Sequence, residues 1–428
     1  MILDLLTTVF WGLVMFSLIV CVHEAGHFTA AKLCGMRVRE FMLGLPGPNI
    51  GVTVGETKFG ITPILLGGYA LVAGMQFETE SPTLAQSLTA LAKLGKVDTQ
   101  TALAYGSELG YDWESDLEQL VDWGTVRRSK LKGAGFLYEM NADRGLTRAE
   151  ARVLDDADAL IASERRRTYL GASYPKRVLM LVMGALFNLI FAVIVFTTAM
   201  VMVGDSRLTT TVSATTVGSP AAAAGILPGD RLAAIDGTEI ATWEDFYKLI
   251  GNHGPGDTVV VAIERGGHLL EMTIVLSDNN GRAFLGVSPT VEDVPVGLLE
   301  AFNRSIGFIW MVAVAIVGLF NPATFGDVIS QSSSVVGISV EASHAASAGF
   351  WPFIVLAAAL SISIGLMNLL PLPPLDGGKI LLESIQRVIR RPIPMRVINS
   401  ISMVVLVLFG VLFLTVTWQD IQRYIVGG

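Results

Sequence analysis

Four stretches of this chain are long and apolar enough to cross a bilayer, whose hydrocarbon takes about 20 helical residues. They run roughly over Leu5–Phe28, Val178–Val203, Phe350–Leu370 and Val397–Trp418. Backbone polar groups in lipid must be satisfied internally, so the chain reads as a polytopic α-helical membrane protein with about four transmembrane helices. Composition agrees: of 428 residues, 52% are hydrophobic and only 16% charged, and mean hydropathy is +0.57. A net charge of −8 with sparse basic residues argues against a nucleic-acid partner. Cys21 and Cys34 are the only cysteines, too few for a disulfide framework. The first apolar stretch has no basic residue ahead of it and no small-residue cleavage pattern, and it carries His23, Glu24 and His27, so it is read as part of the mature protein. A fifth run, Ile306–Phe320, spans only about 15 residues and is read as an interfacial helix.

The connections differ in character. Region 1–80 holds the first span and then a Gly- and Pro-rich segment with β-formers, centred on Pro63–Tyr69. Region 81–167 is charged and patterned as helix, and is read as a helical insertion. The second span occupies 174–204, and a compact α+β domain follows over 209–289. Region 290–349 holds the interfacial helix and a polar connection, and 350–428 the third and fourth spans. From Asp205 to Arg304 there are 6 basic and 13 acidic residues, so nearly the whole charge deficit lies there. Lys32, Arg37 and Arg39 follow span one, Lys176 and Arg177 precede span two, and Lys379–Arg396 separates spans three and four. Basic flanks stay in the cytoplasm, which puts the insertion inside and the acidic domain and both termini outside.

His23-Glu24-Ala25-Gly26-His27 is the zinc-binding H-E-x-x-H pattern. On a helix both imidazoles face one way and Glu24 stays close to a metal-bound water, whose proton it would take during attack on a carbonyl. Chance expects about 0.003 such motifs in a chain with 5 His and 19 Glu. The bland alternative, a polar cluster holding helices together, costs several kcal/mol in an apolar span without a partner. Catalytic zinc needs a third protein ligand. His253 and His268 fall in the 209–289 domain and His344 in a polar Ser/Ala-rich stretch, whereas Asp376 ends a span broken by Pro371, Pro373 and Pro374. Asp376 is therefore the candidate, with a plain helix cap as its competing role.

HEAGH in the first span, Asn368-Leu-Leu-Pro-Leu-Pro-Pro-Leu-Asp-Gly-Gly378 in the third and a domain containing GSPAAAAGILPGDRLAAIDG between them resemble the intramembrane site-2 zinc metalloproteases. The bacterial branch that includes the regulator-of-sigma-E protease is the most similar group, and the inserted domain resembles a PDZ domain. The resemblance implies one Zn²⁺ per chain, held by His23, His27 and Asp376, with Glu24 as catalytic base. It makes Pro63–Gly74 a membrane-associated β-hairpin, with Gly67, Gly68 and Tyr69 presenting an edge to an extended substrate, and it gives Asn368 a contact to substrate backbone. Phe284, Leu285, Gly286 and Val287 take the place of the PDZ peptide loop. Gly184–Asn188 matches a second-span motif except that Ala185 stands where the family has proline, and Ser334 stands at a glycine of another. The implied partners are the lipid bilayer, a single-span membrane protein such as an anti-sigma factor or remnant signal peptide, and an upstream site-1 type protease. The implied location is the bacterial cytoplasmic membrane, with the zinc toward the cytoplasm. A non-catalytic PDZ-bearing scaffold and a metal transporter are the alternatives.

Overall fold

The computed structural model describes residues 2–76, 79–131, 135–141, 149–279, 281–330, 332–391 and 393–422. Contacts divide the chain into two units, Met1–Phe196 with Ser305–Gly428 and Thr197–Arg304.

The first unit begins with α1 (Ile2–Leu33), apolar almost throughout and carrying Lys32 in its last turn, where a cation suits the helix dipole. A four-stranded sheet follows, made of β1 (Val38–Leu43), β2 (Ile50–Val54), β3 (Thr57–Ile61) and β4 (Gly68–Val72) in the order β2-β3-β1-β4. β1 lies in the middle, parallel to β3 and antiparallel to β4. This corrects the expected hairpin. Pro63–Gly74 supplies one strand only, because its leading residues turn back onto β1, with Leu45 N–H donating to the Ile64 carbonyl and Gly44 N–H to that of Gly67. β4 is left at the sheet edge. Ala30, Met36, Val38, Val72, Met180 and Leu181 form a buried cluster that fixes α1 and the sheet to α6 (Tyr174–Met202).

Region 81–167 is more than helical. It contains α2 (Leu84–Leu94), β5 (Lys96–Asp98), α3 (Thr99–Leu109), α4 (Trp113–Trp123), β6 (Val126–Lys130), β7 (Phe136–Met140) and α5 (Ala149–Arg165). The strands pair in the order β5-β7-β6, and Leu88, Leu91, Trp113, Leu117, Trp123 and Tyr138 are buried in a core of their own. Residues 132–134 and 142–148 of this region lie outside the described residues. The helical expectation missed the strands because β5 is three residues long and β6 is Val-Arg-Arg-Ser-Lys, which has little of a strand's apolar alternation.

The second unit, Thr197–Arg304, covers the 209–289 region. Its elements are β8 (Asp205–Thr215), α7 (Pro220–Ala224), β9 (Arg231–Ile235), β10 (Thr238–Glu239), α8 (Trp243–Gly251), β11 (Thr258–Arg265), β12 (His268–Val275), β13 (Ser277–Asn279), β14 (Arg282–Phe284) and β15 (Val287–Val294). The main sheet runs β12-β11-β9-β8-β15, with β10 beside β9, and β13 and β14 form a separate pair. Thr242 and Asp245 close a reciprocal capping box at the start of α8, whose Trp243, Phe246 and Ile250 fill the core.

The chain then continues through α9 (Leu298–Gly318), α10 (Phe325–Ser330), α11 (Val335–Ala348), α12 (Phe350–Asn368), α13 (Asp376–Ile389) and α14 (Met395–Ile421). The fifth apolar run is part of a longer helix than its sequence suggested. α9 has 21 residues, so five helices among those described, rather than four, are long and apolar enough to span. Its first two turns, before Ile306, carry the Glu300–Arg304 ion pair and the exposed apolar side chains of Leu298, Leu299 and Phe302. In the first unit, Met15 and Ile19 of α1 pack with Ala342 of α11 and Ala357 of α12.

Candidate metal centre

Four elements of the first unit meet around HEAGH. His23 and His27 lie one turn apart on α1, both buried, with their Nε2 atoms 3.1 Å apart. Asp376 is the first residue of α13, and its Oδ2 lies 3.2 Å from each Nε2. A tetrahedral zinc with ligands at about 2.0–2.1 Å requires neighbouring donor atoms about 3.3 Å apart. The triangle of two nitrogens and one carboxylate oxygen fits one face of that tetrahedron and leaves a fourth position open. The helix-cap role for Asp376 fails, since the cap is Leu375 and no side chain caps α13.

The supports fix which ring nitrogen is offered. His27 Nδ1 lies 2.8 Å from the Met180 carbonyl of α6, which can only accept, so Nδ1 carries the proton and the Nε2 lone pair is left for a metal. Asn188 of α6 has its amide 3.5 Å from His23 Nδ1, while its Oδ1 is buried without a partner. Rotating that amide by half a turn brings Oδ1 to the Nδ1 proton and gives His23 the same tautomer. Lys379, one turn along α13, donates to the other Asp376 oxygen at 3.4 Å. Gly184 of α6 gives the rings their room, because a Cβ there would lie 2.5 Å from His27 Nε2 and 2.8 Å from His23 Cε1.

Glu24 is half-buried and close enough for one oxygen to join the two histidines within 4.8 Å. Its Oε2 accepts the backbone N–H of Ala70 at 2.9 Å, which joins the H-E-x-x-H helix to the edge strand β4. Oε1 remains for a proton. A cavity of about 420 Å³ opens over these groups, lined by His23, Glu24, His27, Tyr69, Ala70, Asn368 and Asp376 among others. Of the predicted edge residues, Tyr69 reaches this cavity, while Gly68, the first residue of β4, and Gly67 just before it lie outside its lining. The Tyr69 hydroxyl donates to Glu40. In the other unit, Phe284 ends β14, Val287 begins β15, and the Leu285 and Gly286 carbonyls accept from Ala221 and Thr216. Motif reading missed Ala70, Met180 and Lys379. The first two act through backbone, which no side-chain motif records, and Lys379 had only its i+3 spacing from Asp376 to mark it.

Two histidines and an aspartate converging through their metal-binding atoms, with a glutamate beside them on a long apolar helix, define a metallopeptidase centre built into membrane-type helices. The family model for peptidase family M50 matches residues 11–412, and the chain belongs to that family, the site-2 metalloproteases. Zinc metalloprotease RasP of Shouchella clausii is 28% identical over 420 residues, covering 96% of this chain and 97% of that one. Zinc metalloprotease RasP of Oceanobacillus iheyensis is 28% identical over 432 residues, covering 98% and 99%. Among solved structures, the PDZ domain of the SdrC-like protein Lin2157 of Listeria innocua matches 20% of this chain and 93% of its own length, at 30% identity and a TM-score of 0.17.

Proposed function

We propose that this chain is an intramembrane zinc endopeptidase of the bacterial cytoplasmic membrane that cuts single-span membrane proteins. The observation that carries the reading is the single cluster formed by the donor triangle, Glu24 and the free edge of β4. Zinc held by His23, His27 and Asp376, one ion per chain, supplies Lewis acidity for a carbonyl and acidifies water. Glu24 accepts the proton of the attacking water through Oε1 and returns it to the amide nitrogen as the C–N bond breaks. A helical substrate hides its carbonyls in its own hydrogen bonds, so it unwinds first. β4 replaces the lost bonds by strand addition, and the Asn368 amide in the cavity wall holds substrate backbone.

The substrate class is an anti-sigma factor or remnant signal peptide already trimmed by a site-1 type protease. The 209–289 domain acts as a PDZ-type gate outside the membrane, and the zinc lies toward the cytoplasm. The rival readings, a non-catalytic scaffold and a metal transporter, give no use to a carboxylate beside the ligands. Purified protein in detergent, given a single-span substrate with and without a zinc chelator, tests the proposal. Chelator-sensitive cleavage within the span is expected. No cleavage by fully zinc-loaded protein of any of a panel of trimmed single-span substrates would contradict it.

A further inference from the structure

A larger cavity, of about 530 Å³, lies away from the metal centre, between the four-stranded sheet and the α4–β6 corner of the insertion. Four cationic side chains line it: Arg39 of β1, Lys58 of β3, and Arg127 and Arg128 of β6. Among the described lining residues, the carboxylates are those of Glu40 and Glu56. Glu56 is already engaged by Lys32 at 2.8 Å and by Arg167, neither of which lines the cavity. Arg128 is paired with Glu118, and Lys58 donates to the neutral amide of Asn49.

Arg39 is the informative residue. Successive strand residues point to opposite faces, yet Arg39 and Glu40 both line this cavity. A bulge accounts for it: the pairing of β1 with β4 slips between Val38 and Glu40, leaving Arg39 as the extra residue, re-aimed toward the insertion. Its guanidinium makes no hydrogen bond or ion pair among the described residues. Burial depresses its pKa, and although the carboxylates of Asp122 and Glu40 favour the charge, Arg128 and Arg37 oppose it. An anion between Arg39, Lys58 and the β6 arginines would relieve that arrangement, and guanidinium forks match phosphate oxygens in pairs.

We infer that this cavity binds a phosphate-bearing anion, clamped between the β1–β3 sheet and β6 of the insertion. The volume falls in the usual range for small-ligand sites, about 300–1,000 Å³, and exceeds what a single inorganic phosphate fills. The phosphate can belong to a free phosphorylated solute or to a lipid headgroup. Because β1 also pairs with β4, the occupant would tie the insertion to the sheet that carries the active-site edge.

The test uses the full-length, zinc-loaded chain. Pyrophosphate is titrated calorimetrically in detergent, and in parallel the protein is mixed with phosphatidylcholine vesicles with or without phosphatidic acid. Pyrophosphate binding weakened at least tenfold in Arg39→Gln/Lys58→Gln supports a free solute. Binding confined to phosphatidic acid vesicles and lost in the same variant supports a headgroup. Lys58→Gln alone, on a partly exposed side chain, serves as the milder variant if the double one fails to fold, and should weaken binding severalfold. No binding of either probe, or equal binding by wild type and a folded variant with unchanged zinc content, overturns the inference.

Discussion

At Gly184 the only atom that fits is hydrogen. A methyl group there would overlap both imidazoles, while the facing position on α1, Gly26, already brings the helix to the Met183 carbonyl of α6. Gly184→Ala is therefore expected to displace His23 and His27 and lower zinc affinity about 10–100-fold, the range for residues that support metal ligands. Zinc titration of the purified variant checks this, with helical content by circular dichroism as the control. Unchanged affinity would remove Gly184 from the support of the rings. At this scale the sequence was most legible where chemistry depends on side chains at fixed spacing, as in His23, Glu24 and His27. Asp376 was legible as an isolated acid after a proline-broken span. The Met180 carbonyl and Ala70 N–H were not, because every residue has those groups and only the fold selects which ones face the site.

Among the elements, β4 matters most to the proposed activity, because it is short, at an edge and joined to Glu24 through Ala70. Proline substitutions across Leu65–Val72 remove one backbone donor each and should cut cleavage severalfold or more while leaving zinc content alone. A cleavage assay beside metal analysis checks this, and full activity across the scan would exclude strand addition by β4. The local composition of Pro63–Gly74 showed extended structure but not its partner. Pairing with β1 is a long-range choice, and alternation within one segment does not encode it. The same limit hid the length of α9, whose Glu300 and Arg304 read as polar breaks in sequence but are paired in the fold with each other and with Arg207 and Asp205.

For the molecule as a whole, the insertion is joined to the sheet through Asp122 of α4. Its buried Oδ2 accepts the Gly74 N–H at 2.6 Å just beyond β4, while Oδ1 has no partner. Burial pushes its pKa up to about 6, against a weaker opposing effect from the Gly74 N–H and Arg39. A raised folded-state value means that the folded protein holds its proton longer than the unfolded chain does. Its stabilising effect is complete below about pH 4 and is lost as pH rises through about 6. Asp122→Asn keeps an acceptor for Gly74 and should flatten that slope, raising stability at pH 7 by up to about 3 kcal/mol. Thermal unfolding across pH 4–7 reads it out, and an unchanged slope would rule Asp122 out as its source. From its charge and helical patterning this region reads in sequence as a helical insertion. Its buried core and this junction became visible only when α2, α4 and β7 packed together.

The central claim is that His23, His27 and Asp376 hold the metal while Glu24 moves the proton. Zinc content and cleavage of a trimmed single-span substrate, measured side by side for Glu24→Gln and Asp376→Asn, separate those roles most directly. The account predicts that Glu24→Gln keeps its zinc and loses cleavage by at least about 100-fold, within the usual range for a general base. Asp376→Asn should lose both. Wild-type turnover by Glu24→Gln, or full zinc occupancy with full activity in Asp376→Asn, would contradict it.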